Sequence, residues 1–213
     1  TGEFHVPTIL KITPRRKGDF YATTRPFSAS VTIWLMAPAL ALMLSTRANW
    51  QRLEISSGEN MNANKNKLIQ LQIEKVVAAL EKNNMRGYYA KDRNEAREIA
   101  ASLLSESDII GSGGSMTLEE CGIIDLLRSG KFNYLDRAVP GLSKEQIREI
   151  YIKTFGADVF FCSANAITID GKLYNVDGNS NRVAALLFGP KSVVVVAGYN
   201  KLVPDIEAAA KRV

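Results

Sequence analysis

The chain has 213 residues, of which 46% are hydrophobic and 23% are charged, as in a globular protein with one sizeable core. Residues 1–60 hold 7 of the 27 basic and 4 of the 22 acidic residues, so the remainder is near neutral despite a net charge of +5. Residues 61–213 contain no basic stripe interleaved with aromatic residues, which argues against nucleic-acid binding.

The use of histidine and cysteine limits the chemistry of the core. His5, the only histidine, lies near the N-terminus, so a histidine-dependent mechanism is not expected in the main part of the chain. Cys121 and Cys162 belong to no CxxC or Cys/His cluster and are predicted to be small buried side chains in a reducing compartment. The sequence therefore indicates no metal site and no cofactor, and we expect a cytoplasmic location.

The first sixty residues differ in character from the rest. Twenty uncharged residues at 27–46 follow several basic ones and are long enough to span a membrane, as a signal anchor does. Alternatively, the Gly-Glu just ahead of Met61 suits a ribosome-binding tract, which predicts that residues 1–60 are upstream sequence read through. An anchor or signal, read-through and a small folded module all stay open for 1–60. Residues 61–213 are predicted to form the main domain.

Helical and strand patterns alternate from residue 61 onward. An apolar stripe from Ile69 to Leu80 predicts a first helix. Residues 86–91 follow as a short strand, and Asp92 with Glu95 is an N-cap pair for a second helix.

A further apolar run leads into a glycine-rich loop at 111–115, with the sequence Gly-Ser-Gly-Gly-Ser. The loop matches neither GxGxxG nor GxxxxGK[ST], so it is neither a dinucleotide motif nor an ATP motif. It can form a cradle for an anion from backbone N–H groups, serine hydroxyls and the start of a helix. Thr117 and Glu120 fit a capping box, which predicts one helix from about Met116 to about Gly130.

The second half continues the alternation. Residues 132–135 read as a strand, and Ser143 with Gln146 forms a capping box for the next helix. The apolar runs 157–162 and 191–197 are typical of strands covered on both faces.

Two turns complete the predicted fold. Asp170-Gly171 lies between short apolar runs and predicts a two-residue β-hairpin, and Pro204 suits the first turn of the last helix. The fold class is therefore α/β, a mostly parallel sheet with helices on both faces, plus a β-hairpin insertion.

Polar residues collect just after the predicted strands, where open α/β sheets bind ligands. For the run 177–182 the polar density exceeds what a turn needs, whereas Asn200 and Lys201 fit a solvated loop tip equally well. No catalytic residue is assigned, but three carboxylates are candidate bases or nucleophiles: Glu119, Glu120 and Asp177. The predicted ligand-binding residues are Gly111, Ser112, Gly113, Gly114, Ser115, Thr117, Asn165, Asp177, Asn179, Asn181, Arg182, Asn200 and Lys201.

Four segments together resemble the lactate-utilisation (LUD) domain family, from about Leu68 to Val213. They are Gly-Ser-Gly-Gly-Ser-Met-Thr-Leu-Glu-Glu at 111–120, Leu-Asp-Arg at 135–137, Ser-Ala-Asn-Ala-Ile-Thr at 163–168 and Tyr-Asn-Val-Asp-Gly-Asn-Ser-Asn-Arg-Val-Ala at 174–184. The resemblance implies a fold like that of the superfamily of ribose-phosphate isomerase, CoA-transferase and formyltetrahydrofolate cyclo-ligase. That superfamily binds phosphorylated or carboxylated ligands over a glycine-rich loop.

The resemblance also implies a role in or beside the oxidation of L-lactate to pyruvate, with a small anionic metabolite as ligand and iron–sulfur subunits as partners. Two alternatives stay open: an isomerase or acyl/CoA transferase acting on a phosphorylated or CoA-linked substrate, and a non-catalytic subunit that docks iron–sulfur proteins. Association into a homo-oligomer is also left open. Many family members continue with another strand and a cysteine-bearing tail, so the domain is expected to be truncated at Val213.

Overall fold

The computed structural model describes residues 7–12 and 58–213. Its strands are β1 (Pro7–Ile12), β2 (Arg86–Tyr89), β3 (Ile109–Ser112), β4 (Asn133–Tyr134), β5 (Val159–Cys162), β6 (Ala166–Thr168), β7 (Leu173–Tyr174), β8 (Ser192–Gly198) and β9 (Leu202–Val203). Its α-helices are α1 (Gly58–Lys82), α2 (Arg93–Ser102), α3 (Met116–Glu120), α4 (Ile123–Leu127), α5 (Lys144–Thr154), α6 (Asn181–Leu187) and α7 (Ile206–Arg212).

The main sheet has six strands in the order β2-β1-β8-β5-β3-β4. Strands β8, β5, β3 and β4 run parallel to one another, whereas β1 is antiparallel to both of its neighbours. The α/β class with a mostly parallel sheet is thus confirmed. Strand β1 lies within residues 1–60, which the sequence separates from the main domain, and the domain boundary at residue 60 stays a prediction.

Side chains that alternate along β5 and β8 build two separate cores. Phe161, Val194 and Val196 pack on one face against the apolar sides of α2, α3 and α4. Phe160 and Val195 pack on the other face, against α1, α6 and the hairpin. Because successive strand residues point to opposite faces, an uninterrupted apolar run fits a sheet that is covered twice. Helices on both faces are therefore confirmed.

The predicted hairpin forms, but its loop is longer than the Asp-Gly signal indicated. Strands β6 and β7 pair antiparallel, and β9 joins β6 in parallel to make a second sheet of three strands. The N–H of Thr168 donates to the carbonyl of Lys172, so the loop contains three residues. Gly171 has a φ of +81°, as expected where a turn is followed by a left-handed glycine.

The single helix predicted after the glycine loop is two short helices. Gly122, with a φ of +64°, separates α3 from α4. The N-cap is Ser115, whose Oγ accepts from the N–H of Leu118 at 3.4 Å, so the capping box predicted at Thr117 and Glu120 is wrong. A left-handed residue stops helical hydrogen bonding, which periodicity alone does not reveal.

Two other helix starts were predicted from local chemistry. Asp92 caps α2 and Ser143 forms the capping box of α5 with Gln146, both as predicted. The last helix begins differently, because Asp205 is its N-cap and Pro204 precedes the helix.

In residues 7–12 and 58–213, no helix is both long enough and apolar enough to cross a bilayer. The candidate span at 27–46 lies outside these residues.

Candidate functional site

A cleft of about 610 Å³ opens beside the carboxyl ends of three parallel strands, β3, β5 and β8. This is the edge at which open α/β sheets bind ligands, because loops from adjacent strands converge there. The residues that follow these strands and line the cleft are Gly114, Ser115, Met116 and Thr117 after β3, Ser163, Ala164 and Asn165 after β5, and Asn200 and Lys201 after β8.

The glycine loop divides into a packed part and a part that lines the cleft. Gly111 lies within β3, where a Cβ atom would come within 2.5 Å of the Thr154 Cγ2 atom on α5. Gly113 packs on the aliphatic part of Arg182, and its N–H donates to the carbonyl of Phe161 at 2.8 Å. These two glycines therefore permit close packing, and the Gly113 amide is already engaged in the sheet.

Gly114 is the exposed member of the loop. Within the described residues, its N–H and that of Met116 have no hydrogen-bond acceptor. Arg137 lies close by, with its NH2 nitrogen 2.9 Å from the position of a Cβ on Gly114, and Tyr151 accepts a hydrogen bond from the other end of this guanidinium. Gly114 thus places an unpaired amide at the cleft, next to a cation.

Ser112 does not line the cleft. Its hydroxyl is 2.7 Å from the Tyr134 hydroxyl, and the side chain is buried. Burial has the largest effect on the pKa of the Tyr134 hydroxyl, and it raises that pKa. Ser112 therefore connects β3 to β4.

Arg182 organises the wall of the cleft opposite the glycine loop. Its guanidinium donates to the carbonyls of Ser163 and Val176, each at 2.8 Å, and to Asn165 Oδ1 at 2.7 Å. Asn165 Oδ1 also accepts the N–H of Val176 at 3.0 Å. These bonds connect the loop after β5 to the start of α6.

Asp177 lies behind this wall and acts as an anchor for α6. Its carboxylate accepts the N–H groups of Arg182 at 2.8 Å, Val183 at 3.1 Å and Asn179 at 3.3 Å. Burial alone would raise the pKa of Asp177, but the backbone donors outweigh it and hold the pKa below its usual value. A carboxylate that is this stable in its charged form is a poor proton acceptor near neutral pH.

The charge of the cleft is strongly asymmetric. Four cationic side chains line it, contributed by α2, α6, the turn after β8 and α7: Arg93, Arg182, Lys201 and Arg212. Among the described residues that line the cleft, Glu120 has the only carboxylate side chain, and it pairs with Arg93 at 3.3 Å. Converging cations raise the local concentration of anions and strengthen their binding.

Lys201 is the unusual cation of this group. It follows β8 in a 3₁₀ turn, is partly buried, and places Nζ 2.6 Å from Ser163 Oγ. Burial lowers the pKa of Lys201 most, and the charges of Arg212 and Arg182 lower it further. Within the described residues its amine forms no salt bridge.

The structure brings together part of the predicted ligand-binding set. The predicted residues that line the cleft are Gly114, Ser115, Thr117, Asn165, Arg182, Asn200 and Lys201. Those that do not line it are Gly111, Ser112, Gly113, Asp177, Asn179 and Asn181. Of the candidate bases, Glu120 lines the cleft, whereas Glu119 does not.

Sequence reasoning missed three polar residues of the cleft. Ser163 directly follows a predicted strand, so its position could have been read in the same way as that of Asn165. Arg93 and Arg212 lie on helices far apart in the chain, and nothing in their local sequence marks them as cleft residues.

The two cysteines are free and buried. Burial raises the pKa of Cys121, which lines the cleft, and raises the pKa of Cys162 to about 12. Both are therefore weak nucleophiles at neutral pH. In the part of the chain that the structure describes, no three His, Cys, Asp or Glu side chains are grouped as a metal would require.

The fold and the cleft define an α/β protein with a cleft lined by four cationic side chains at the carboxyl edge of its sheet. The family model of the LUD domain matches residues 73–213, about two thirds of the chain, and the protein belongs to that family. The match includes every cleft residue named above. No curated protein matches the chain, and no solved structure does.

Proposed function

We propose that the cleft binds a small anionic metabolite, and that the protein acts in or beside the oxidation of L-lactate to pyruvate. The observation that carries the proposal is that four cationic side chains line one cleft. Among the described residues of the cleft, a single carboxylate side chain offsets their charge. The volume, about 610 Å³, is within the usual range for small-molecule sites. Membership of the LUD domain family supports the connection with lactate.

Calorimetric titration tests the proposal directly. We expect saturable binding of L-lactate or pyruvate, and no binding of glycerol, which has no carboxylate. Sugar phosphates and acyl-CoA compounds belong in the same series, because the cations would also attract phosphate groups. If none of these anions binds, the proposal is wrong.

A variant of Gly114 tests whether the loop forms part of the site. We expect Gly114→Val to abolish binding, because its side chain would displace Arg137 and crowd the unpaired amide of a loop that lines the cleft. Stability should change little, because the nearest atom is the end of a flexible side chain. Gly178→Val is the matched control, because Gly178 has open space around it and does not line the cleft. Equal affinity of both variants would exclude the loop.

The enzymatic alternative has one specific observation in its favour. Glu120 lines the cleft as a carboxylate beside Arg93, so an isomerase or acyl/CoA transferase could use it as a base or nucleophile. Turnover of a sugar phosphate or an acyl-CoA, lost in Glu120→Gln, would favour this alternative. Binding without turnover would leave metabolite binding as the better account.

We also propose iron–sulfur subunits of lactate oxidation as partners and the cytoplasm as the compartment, with family membership as the support. Purification of the tagged protein from lactate-grown cells tests the first point. Co-purification of iron–sulfur proteins that is unaffected by Gly114→Val would indicate docking that is independent of the metabolite.

A further inference from the structure

We propose that Lys201 captures the carbonyl carbon of a 2-oxo acid as an imine, and that the Ser163 hydroxyl carries the protons between nitrogen and oxygen. The proposal rests on the proposed function and names the reactive group of the ligand. Lys201 lines the cleft and its Nζ lies 2.6 Å from Ser163 Oγ, so an amine and a proton carrier stand together where a ligand would bind.

The surroundings of Lys201 make the neutral, nucleophilic fraction of its amine larger than in an ordinary lysine. An ordinary lysine has a pKa of about 10.4, so less than about 1% of it is neutral at pH 8. Three causes lower the pKa of Lys201. Burial has the largest effect, and the positive charges of Arg212 on α7 and Arg182 on α6 add to it. Cys162 and Glu120 act in the opposite direction but do not reverse the shift.

The other cations leave Lys201 free for this role. Arg182 is held by two carbonyls and Asn165, and Arg93 pairs with Glu120. The guanidinium group of Arg212, which lines the same cleft, can attract the carboxylate of the ligand, and Lys201 then remains for the neighbouring carbonyl.

The reaction needs no oxidant or reductant. The neutral amine attacks the carbonyl carbon and forms a C–N bond. Two protons pass from nitrogen to the carbonyl oxygen, the C–O bond breaks, water leaves, and a C=N bond remains. A hydroxyl within hydrogen-bond reach of Nζ is suited to transfer these protons. Ser163 is that hydroxyl.

Reductive trapping tests the proposal. The full chain is incubated with pyruvate and sodium cyanoborohydride, and the reduced adduct is located by peptide mass spectrometry. We expect the adduct on Lys201 and not on Lys191, an exposed lysine that pairs with Asp158 and serves as the internal control. Adducts spread equally over the surface lysines, or none on Lys201, would overturn the proposal.

Two variants separate imine formation from simple charge pairing. Lys201→Arg keeps the positive charge but cannot form an imine, so we expect pyruvate binding to persist while trapping is lost. At saturating pyruvate, Ser163→Ala should slow trapping on the order of a hundredfold, as loss of a positioned proton carrier does. An unchanged trapping rate in Ser163→Ala would remove Ser163 from the mechanism.

Calorimetry distinguishes the two ways in which the idea can fail. If pyruvate binds and is not trapped, the imine is wrong and the proposed function stands. If pyruvate, L-lactate and the other anions all fail to bind, the proposed function is wrong as well. Trapping on Lys201 that L-lactate suppresses by competition would support both.

Discussion

Individual residues in this protein have roles that their chemical type does not reveal. Asp177 and Arg182 are the two ends of the polar run 177–182, yet Arg182 lines the cleft whereas Asp177 anchors the start of α6 from behind. The glycines also have different roles. Gly111 and Gly171 allow a helix to pack closely against the backbone, whereas Gly114 lines the cleft. The contacts of each residue, and not its type, decide between a structural and a binding role.

Gly171 should tolerate no side chain. Its φ of +81° is left-handed, and a Cβ would come within 2.7 Å of the Ala79 carbonyl carbon on α1. We expect Gly171→Ala to lower the free energy of unfolding by about 2–4 kcal/mol, through backbone strain and overpacking. Urea unfolding measures the loss.

Alanine variants of two other glycines separate the cost of backbone strain from the cost of overpacking. Gly130 is left-handed with nothing within 4 Å, so its alanine variant should show the backbone strain alone. Gly178 has open space and is not left-handed, so Gly178→Ala should be neutral or slightly stabilising. A loss in Gly171→Ala no larger than that in Gly130→Ala would show that contact with α1 does not matter.

Asp177 should make stability depend on pH at the acid end. Its pKa is lower in the folded protein than the value of about 3.9 in an unfolded chain, so its contribution is complete above that value. The contribution is lost as the pH falls through the folded pKa. We expect Asp177→Ala, which removes the acceptor oxygens, to cost about 1–2 kcal/mol at neutral pH, as loss of a cap does. The difference from wild type should shrink towards pH 3, and a constant difference would contradict this account.

At the scale of elements, short contacts determine how the helices meet the sheet. Helix α5 approaches β3 closely because Gly111 leaves room for Thr154, whose hydroxyl donates to the Ile150 carbonyl within its own helix. The hairpin docks on the end of α1, where the Asn83 side chain donates to the carbonyls of Asp170 and Gly171. The loops that follow β3 and β5 lie at one edge because these two strands are parallel neighbours.

A double-mutant cycle can test the contact between α5 and β3. A Cβ on Gly111 would come within 2.5 Å of Thr154 Cγ2 and 2.9 Å of its Oγ1, and Thr154→Ala removes both atoms. We therefore expect Gly111→Ala to be strongly destabilising alone and substantially rescued by Thr154→Ala, with a coupling of about 1–3 kcal/mol. Additive effects in urea unfolding would show that the two residues do not oppose each other.

At the scale of the whole molecule, parallel strands bring distant cations to one place. Arg93 on α2 and Arg212 on α7 lie far apart in sequence, yet both line the cleft with Arg182 and Lys201. Glu120 is the only carboxylate side chain among the described residues of the cleft, and it pairs with Arg93, so no carboxylate side chain of the cleft is left to neutralise the other three cations. A bound anion would relieve their mutual repulsion.

A bound anion should therefore stabilise the fold. At a ligand concentration of a hundred times Kd, pyruvate or L-lactate should raise the free energy of unfolding by about 2.7 kcal/mol. Arg212→Gln should weaken the affinity and reduce this gain, and added salt should do the same. Arg148→Gln is the matched control, because Arg148 is exposed on α5 and does not line the cleft. An equal effect of both substitutions would show that net charge, and not the cleft, is responsible.

Much of the fold was predictable because its signals are local. The apolar stripe of α1 and the uninterrupted runs of β5 and β8 predict burial from periodicity, which depends on neighbouring residues alone. The caps at Asp92 and Ser143 are equally local. The break at Gly122, the three-residue hairpin loop and the short strand β9 were not predicted, because tertiary packing selects among several allowed local conformations.

The sequence by itself determined the α/β class, the family and the segments that follow the strands, because patterns of burial and turn chemistry are properties of adjacent residues. Only the tertiary structure decided which members of those segments meet. It separated Asn165 and Arg182 from Asn179 and Asn181, and it joined Lys201 to Ser163 across 38 positions. These side chains meet because β3, β5 and β8 run parallel and end at the same edge of the sheet. Strand order depends on contacts between residues far apart in the chain, so no local sequence pattern encodes it.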